Sequence, residues 1–243
     1  ISDKKLQLNP ELSAFSHFYY ATQLAKSEDP ASLSKALFEF SLLRLNHPTY
    51  ITFGMSLMET AEIQLKLEQD AEAIDTLKDV QNLSITISPV TKQQAAFISG
   101  QLLAEKMDYV SATEAFQVAS EAQQESLTQA ATINAGISYL ASSDIEGFKN
   151  YLEQTDSLVL KQQLELEKAL WLAREKSIDA RMPLQSFIRD YSENSRIIEA
   201  QLALAENAIR VFPIDSVLCG AMIKKLNSSR ISPEQYALYT NVR

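Results

Sequence analysis

Six small residues recur along the chain at nearly even intervals. They are Ala21, Ala61, Gly100, Gly136, Ala169 and Ala205, separated by 40, 39, 36, 33 and 36 positions. The first four sit in similar surroundings, HFYYATQLA, LMETAEIQL, AFISGQLLA and TINAGISYL, and three places on comes Leu24, Gln64, Leu103 or Tyr139. After a short polar break a second register begins. Ala36, Ala73 and Ala112 are each followed four residues later by Phe40, Leu77 and Phe116, and three beyond those by Leu43, Val80 and Ala119. An isolated amphipathic helix needs no such rule. Helices that pass close to one another do, because small residues stand where the backbones approach and large ones fill the adjacent hollows. A glycine inside a helix costs about 1 kcal/mol relative to alanine, so Gly100 is expected to lie under a neighbouring helix. Leucine there should overpack, and alanine should be accepted, since positions 21 and 61 already carry it.

Apolar residues recur at helical spacing along almost the whole chain. Only five glycines occur in 243 residues; a sheet protein with many tight turns needs more, which favours helices joined by short turns. The pattern predicts helices over about 10–26, 33–46, 49–67, 71–82, 91–106, 110–123, 126–141 and 145–155. Others follow near 158–175, 181–191, 196–211, 215–227 and 233–243. In the first, Leu12, Phe15, Phe18, Tyr19 and Leu24 form the expected apolar face. SITISPV alone alternates like a strand, but it is short and ends in Pro89, so it reads as a loop. No linker rich in proline, glycine or serine divides the chain, so residues 1–243 read as a single all-α domain.

The in-register positions resemble those of the tetratricopeptide repeat (TPR) family. Its units carry a small residue at the eighth position, another at the twentieth, and a large one four residues later. Residues 93–126 match through Gly100, Asp108 and Tyr109 at the turn, Ala112, Phe116 and Ala119. Residues 54–87 match through Leu57, Ala61, Ala73 and Leu77, with Gln64 in place of the aromatic. Residues 129–157 match through Ala135, Gly136, Tyr139 and Asp144, but Gly147 or Phe148 stands where alanine belongs. Residues 11–48 and 158–243 are irregular repeats. The resemblance implies a right-handed α-α superhelix, a TPR-like solenoid of antiparallel helix pairs. Because the early spacings exceed the family's usual 34, longer helices or turns are expected there. The stretch SFIRDYSENSRIIEAQLALAENAI, residues 186–209, is similar to units of periplasmic repeat proteins in bacterial envelopes, including outer-membrane lipoproteins. Those usually have proline where this chain has Ser192. Ser195 reads as an N-cap there, with Glu199 and Ala200 opening the next helix. On this basis a bacterial periplasm or cell envelope is favoured over the cytoplasm.

The charge balance narrows the function. With 31 acidic and 22 basic residues the net charge is −9, a sign opposed to phosphate-backbone binding, so neither nucleic acid nor an anionic membrane is an expected partner. No apolar run reaches membrane-spanning length. The single cysteine, Cys219, lies in the apolar SVLCGAMI and reads as a small buried hydrophobe. His17 and His47 have no second histidine or cysteine at metal-ligand spacing, and His47 before Pro48 reads as the end of a helix. Gly54, Gly100 and Gly136 each stand alone, which forms no phosphate loop. Acidic pairs such as Glu165 with Glu167 and Asp75 with Asp79 read as solvated helix faces. Trp171, between leucines, reads as core. No catalytic residue, metal or cofactor is assigned.

What remains is a surface. The family resemblance implies that first helices line a concave groove through the second, fifth, ninth and twelfth positions of each unit. These are Met55, Met58, Glu62 and Leu65; Gln94, Phe97, Gln101 and Ala104; Ala130, Ile133, Ile137 and Leu140. Met55, Met58, Glu62, Phe97, Gln101, Ile133 and Ile137 form the candidate partner-binding set. Chaperone-binding members of the family place lysine, arginine and asparagine there to hold a C-terminal carboxylate, and none occurs at these twelve positions. The groove therefore suits an apolar or helical segment of another protein, although tight winding would bury some of the same residues. The expected function is a non-catalytic protein-protein interaction scaffold. A small-ligand or lipid pocket, an enzymatic pocket, and an accessory repeat region of a larger protein stay open as alternatives.

Overall fold

The turns between paired helices explain the spacing of the small residues. In the computed structural model, which describes residues 9–49, 52–83, 87–121 and 124–226, four turns repeat the same three-residue geometry. Each contains one residue in the left-handed region: Glu68, Met107, Ser143 and Lys176, at φ 58°, 62°, 61° and 55°. Each stands seven residues after the small residue of its helix, Ala61, Gly100, Gly136 or Ala169. Two backbone bonds close each turn. The Met107 N–H donates to the Ala104 carbonyl and the Asp108 N–H to that of Leu103, both at 2.9 Å. The equivalent bonds run from Glu68 to Leu65 and Gln69 to Gln64, from Ser143 to Leu140 and Asp144 to Tyr139, and from Lys176 to Ala173 and Ser177 to Leu172. These are Schellman motifs, which satisfy helix-end carbonyls that would otherwise lack donors. The residue after the left-handed one then serves the next helix: Asp108 accepts from the Ser111 N–H, Asp144 from that of Gly147, and Ser177 from that of Asp179. In these three turns one short segment ends one helix and caps the next, whereas Gln69 makes no side-chain cap to α4.

Among the described residues the structure is all helical, with twelve α-helices and no strand. They are α1 (Pro10–Ala25), α2 (Pro30–Asn46), α3 (Phe53–Lys66), α4 (Asp70–Asn82), α5 (Pro89–Glu105), α6 (Tyr109–Ser120), α7 (Glu125–Ala141) and α8 (Ile145–Gln154). After them come α9 (Leu158–Arg174), a 3-10 turn (Ile178–Ala180), α10 (Arg181–Asp190), α11 (Ile197–Arg210) and α12 (Ser216–Leu226). The predicted helices match these closely. Two start differently: α2 begins at Pro30, because Asp29 caps it by accepting from the Ser32 N–H, and α3 begins at Phe53 rather than at 49. The predicted helix 233–243 and the first three residues of SITISPV lie outside the described residues. The shrinking repeat also has a visible source. The second helices α2, α4, α6 and α8 shorten from 17 to 13, 12 and 10 residues.

The chain forms two compact units, Ile1–Ser138 and Tyr139–Arg243, whose boundary falls within the last turn of α7. In the first, α1 packs on α2, α3 on α4 and α5 on α6, and successive pairs meet through α2 with α3 and α4 with α5. Their cores follow that order. One is Leu33, Phe40, Leu43 and Ile63 with Ala14, Ala21 and Ala36; the next is Leu57, Leu77 and Val80 with Ala61 and Ala95; the third is Ala96, Ala119 and Ala131. In the second unit, Leu140, Phe148 and Leu164 form one cluster, with Trp171 packed against it. Leu166, Leu184, Phe187 and Leu204 lead another that includes the buried Cys219. The expectation for Cys219 is met and that for Trp171 in part, since it packs on the core but stays half-buried, and burial pushes the Cys219 thiol above its ordinary value.

Gly100 is where the small-residue rule acts most tightly, and one expectation about it fails. A Cβ at Gly100 would lie 2.8 Å from two ring carbons of Phe116 on α6. The ring is buried and held edge-on by Phe97, centroids 5.6 Å apart. Alanine is therefore not free to enter. Position 61 carries alanine opposite Leu77, whereas position 21 carries alanine in the cluster that holds Phe40, so what excludes a Cβ at 100 is where the Phe116 ring lies and not aromatic size alone.

Buried polar groups tie neighbouring helices together. Gln93, 1% exposed, donates from its Nε2 to the Ala119 carbonyl at 2.7 Å and to Thr128 Oγ1 at 3.0 Å, and its Oε1 accepts from the Gln124 N–H. One side chain thus joins α5 to the end of α6 and the start of α7. Glu167 corrects the reading of its pair as solvated: it is buried and takes the Arg196 guanidinium, which also donates to Glu199 at 2.8 Å. The start of α11 also differs from expectation: Ser195 does not cap it, Arg196 holds the N-cap position without a side-chain bond, and Asn194 Oδ1 accepts from the Arg196 N–H just ahead of the helix.

Candidate partner-binding surface

The anticipated groove residues divide by position. Those six residues before the small residue, and those one after it, face solvent in the second and third helix pairs: Met55 and Glu62, then Gln94 and Gln101. Those three before it are half-buried. Met58 packs against the cluster of Leu57, Ala61 and Leu77, and Phe97 packs against Ala96, Ala119 and Ala131 while its ring meets Phe116. Ile133 and Ile137 on α7 are half-buried, as are Leu65, Ala104 and Ala130. Leu140 departs from the set: at 2% exposed it belongs to the core of the second unit. Met55 is then the most exposed apolar member of the anticipated set, at 54%.

The helix that sequence reasoning left out of the groove carries a group of exposed apolar side chains. The expected apolar face of α1 is buried only in part: Phe18 and Leu24 pack against the first core, Phe18 edge-on to Phe40. The helix buries Ala14, Ala21 and Ala25, while Leu12, Phe15 and Tyr19 stand 50%, 53% and 57% exposed. Their spacing of three and four residues places them on one face. The rings of Phe15 and Tyr19 stack with centroids 6.1 Å apart. Phe15 lies six residues before Ala21, the same place that Met55 holds before Ala61. The signal was present in the register, but hydrophobic periodicity alone assigned these side chains to the core.

Charge on this face is acidic. Glu59 on α3 is half-buried, and burial holds its carboxyl above the ordinary value, with Glu62 adding to the shift and Lys66 opposing it. Both histidines are engaged within the first helix pair. His17 Nδ1 lies 2.8 Å from Glu39 Oε2, and His47 Nε2 lies 3.3 Å from Ser13 Oγ. His47 is also the C-cap of α2, as its sequence position suggested. Among the described residues, no helix is long and apolar enough to cross a membrane, and no group of three or more histidine, cysteine, aspartate or glutamate residues could hold a metal ion.

In comparisons with known proteins, no family model, curated protein or solved structure matched the chain.

Proposed function

We propose that the chain is a non-catalytic interaction scaffold of the tetratricopeptide type, which holds an apolar or helical segment of another protein against the first helices of its N-terminal unit. The observation that carries this reading is the matched exposure of Phe15 and Met55. They hold the same register position in successive first helices and are 53% and 54% exposed, with Leu12 and Tyr19 beside Phe15 on α1. A single exposed apolar residue is ordinary, but several large ones on one face mark an interaction surface. Such a surface binds through a few large side chains, and its affinity changes little with salt. The similarity of residues 186–209 to periplasmic repeat proteins supports a bacterial envelope setting.

The test compares the parent with a Phe15→Ser, Met55→Ser variant as bait in a lysate of the source organism, with retained proteins identified by mass spectrometry. Proteins held by the parent in both low and high salt should be lost from the variant, while circular dichroism and melting temperature stay unchanged. Identical retention by a folded variant would move the partner site off these helices.

A further inference from the structure

We propose that Leu202 and Leu226 form the floor of an intramolecular docking site, occupied by residues 233–243 of the same chain as a further helix packed against α11 and α12. Leu226 is the last residue of α12 and is 1% exposed, and Leu202 on α11 is 3% exposed. The side chains packed on them, Ile198 and Ile223, are themselves only half-buried. Leucines so enclosed at the end of the last described helix are covered by more than these two helices supply.

The register of the first unit shows what stands in the equivalent place. In α4, Ala73, Leu77 and Val80 follow one another at intervals of four and three residues, and Leu77 and Val80 pack with Ala95 of α5, with Ile98 against them. Cys219, Ile223 and Leu226 repeat those intervals in α12. Six residues, 83–88, follow α4, and Ile87-Ser88 lead into Pro89, the first residue of α5. Six residues, 227–232, follow α12, and they end in the same way, with Ile231-Ser232 leading into Pro233. Ala95 and Ile98 stand six and nine residues after Pro89, and Tyr239 and Val242 stand six and nine after Pro233. Gln235, three residues after Ser232, completes the pattern of a capping box.

Three features select this segment over a separate partner. A short connection makes neighbouring helices antiparallel, which brings Glu234 to the end of α12 that carries Lys224 and Lys225. At helical spacing Leu238, Tyr239 and Val242 fall on one side of the segment, and Glu234, Thr240 and Asn241 on the other. The second side is the polar outer face that a terminal repeat needs. Tethering by a short linker also sets an effective concentration of roughly millimolar, above what a free protein reaches.

The test uses the full chain labelled with ¹⁵N. Tyr239→Asp with Val242→Asp should raise amide hydrogen exchange at Leu202, Ile223 and Leu226 by about tenfold or more, and leave Leu77 and Val80 in the first unit as they are. Ala237→Asp places the same residue type on the outer side of the segment and should change none of these rates. A second measurement does not depend on how the double variant folds. A nitroxide on Asn241→Cys, in a Cys219→Ala background, should broaden the amide signals of Leu202 and Ile223 equally at low and high protein concentration. Mixing nitroxide-labelled ¹⁴N protein with unlabelled ¹⁵N protein should give no broadening. Unchanged exchange in a folded double variant, an equal effect of Ala237→Asp, or no broadening from the nitroxide would overturn the proposal. Broadening in the mixed sample would overturn it as well, by assigning the site to a second copy of the chain.

Discussion

At the residue scale, the pairing of Gly100 with Phe116 is a volume match between two helices. Alanine is favoured over glycine in a helix by about 1 kcal/mol, so the glycine persists because of what stands over it. Gly100→Ala should destabilise, since forcing extra carbon into a packed core costs about 1–3 kcal/mol and the ring of Phe116 is already held against Phe97. Phe116→Leu alone leaves unfilled space beside the glycine. Combining the two recreates the alanine and leucine found at 61 and 77, so the double variant should be more stable than the sum of the single changes implies. A coupling of about 0.5–3 kcal/mol is expected for residues in contact. Denaturant unfolding of the four proteins measures it. If Gly100→Ala is as stable as the parent, the close approach is not what keeps glycine there. The need for a small residue at 100 was legible in the sequence, but how small was not. That depended on which residue of α6 lies over position 100, a fact of packing that no spacing along α5 encodes.

At the element scale, the helix pairs owe their tight turns to four residues that are not glycine. A left-handed conformation costs an L-residue roughly 1–2 kcal/mol, and glycine escapes that cost while losing more freedom on folding. Glu68, Met107, Ser143 and Lys176 bear this strain because the paired carbonyls of each Schellman motif hold them in place, helped at all but Glu68 by the cap of the next helical element. Met107 is 76% exposed, so its side chain contributes little packing. Met107→Gly should therefore stabilise the fold by about 0.5–1 kcal/mol, the net of the two effects, while Met107→Ala should change little. Thermal unfolding separates these outcomes, and a destabilised glycine variant would mean that the Met107 side chain is doing packing work. The positions of these turns could be read in advance from polar breaks between apolar runs, which is why helix boundaries fell within a few residues of expectation. Their geometry could not, because glutamate, methionine, serine and lysine carry no sequence signal for a left-handed backbone. The 3-10 turn before α10 escaped notice for a similar reason: three residues are too few to show a period.

At the scale of the whole molecule, the net charge of −9 sits on helices whose ends are partly closed by cations. Several cations are spent on backbone carbonyls at helix ends. Lys66 donates to the Ala25 carbonyl and Lys92 to that of Leu83, and the Arg181 guanidinium reaches those of Asn207, Val211 and Pro213. The candidate surface was only partly legible for a related reason. Sequence periodicity marks apolar residues as a set, but α1 buries its alanines on α2 and turns Leu12, Phe15 and Tyr19 outward, and a helical wheel cannot say which side a neighbour will occupy. Net charge and this apolar face together determine how the molecule behaves as pH changes. At pH 7 the charge of −9 keeps copies apart, and that repulsion vanishes near the isoelectric point of about 4.9, where apolar contact is no longer opposed. The weight-average mass from light scattering should therefore rise as pH falls from 7 to 5, with circular dichroism showing the helices intact. Phe15→Ser with Tyr19→Ser changes no charge, so it should suppress most of that rise. If the variant associates as strongly as the parent while remaining folded, the exposed face of α1 is not the adhesive surface, and association must be traced to other exposed apolar residues such as Phe212 and Val217, at 87% and 82% exposed.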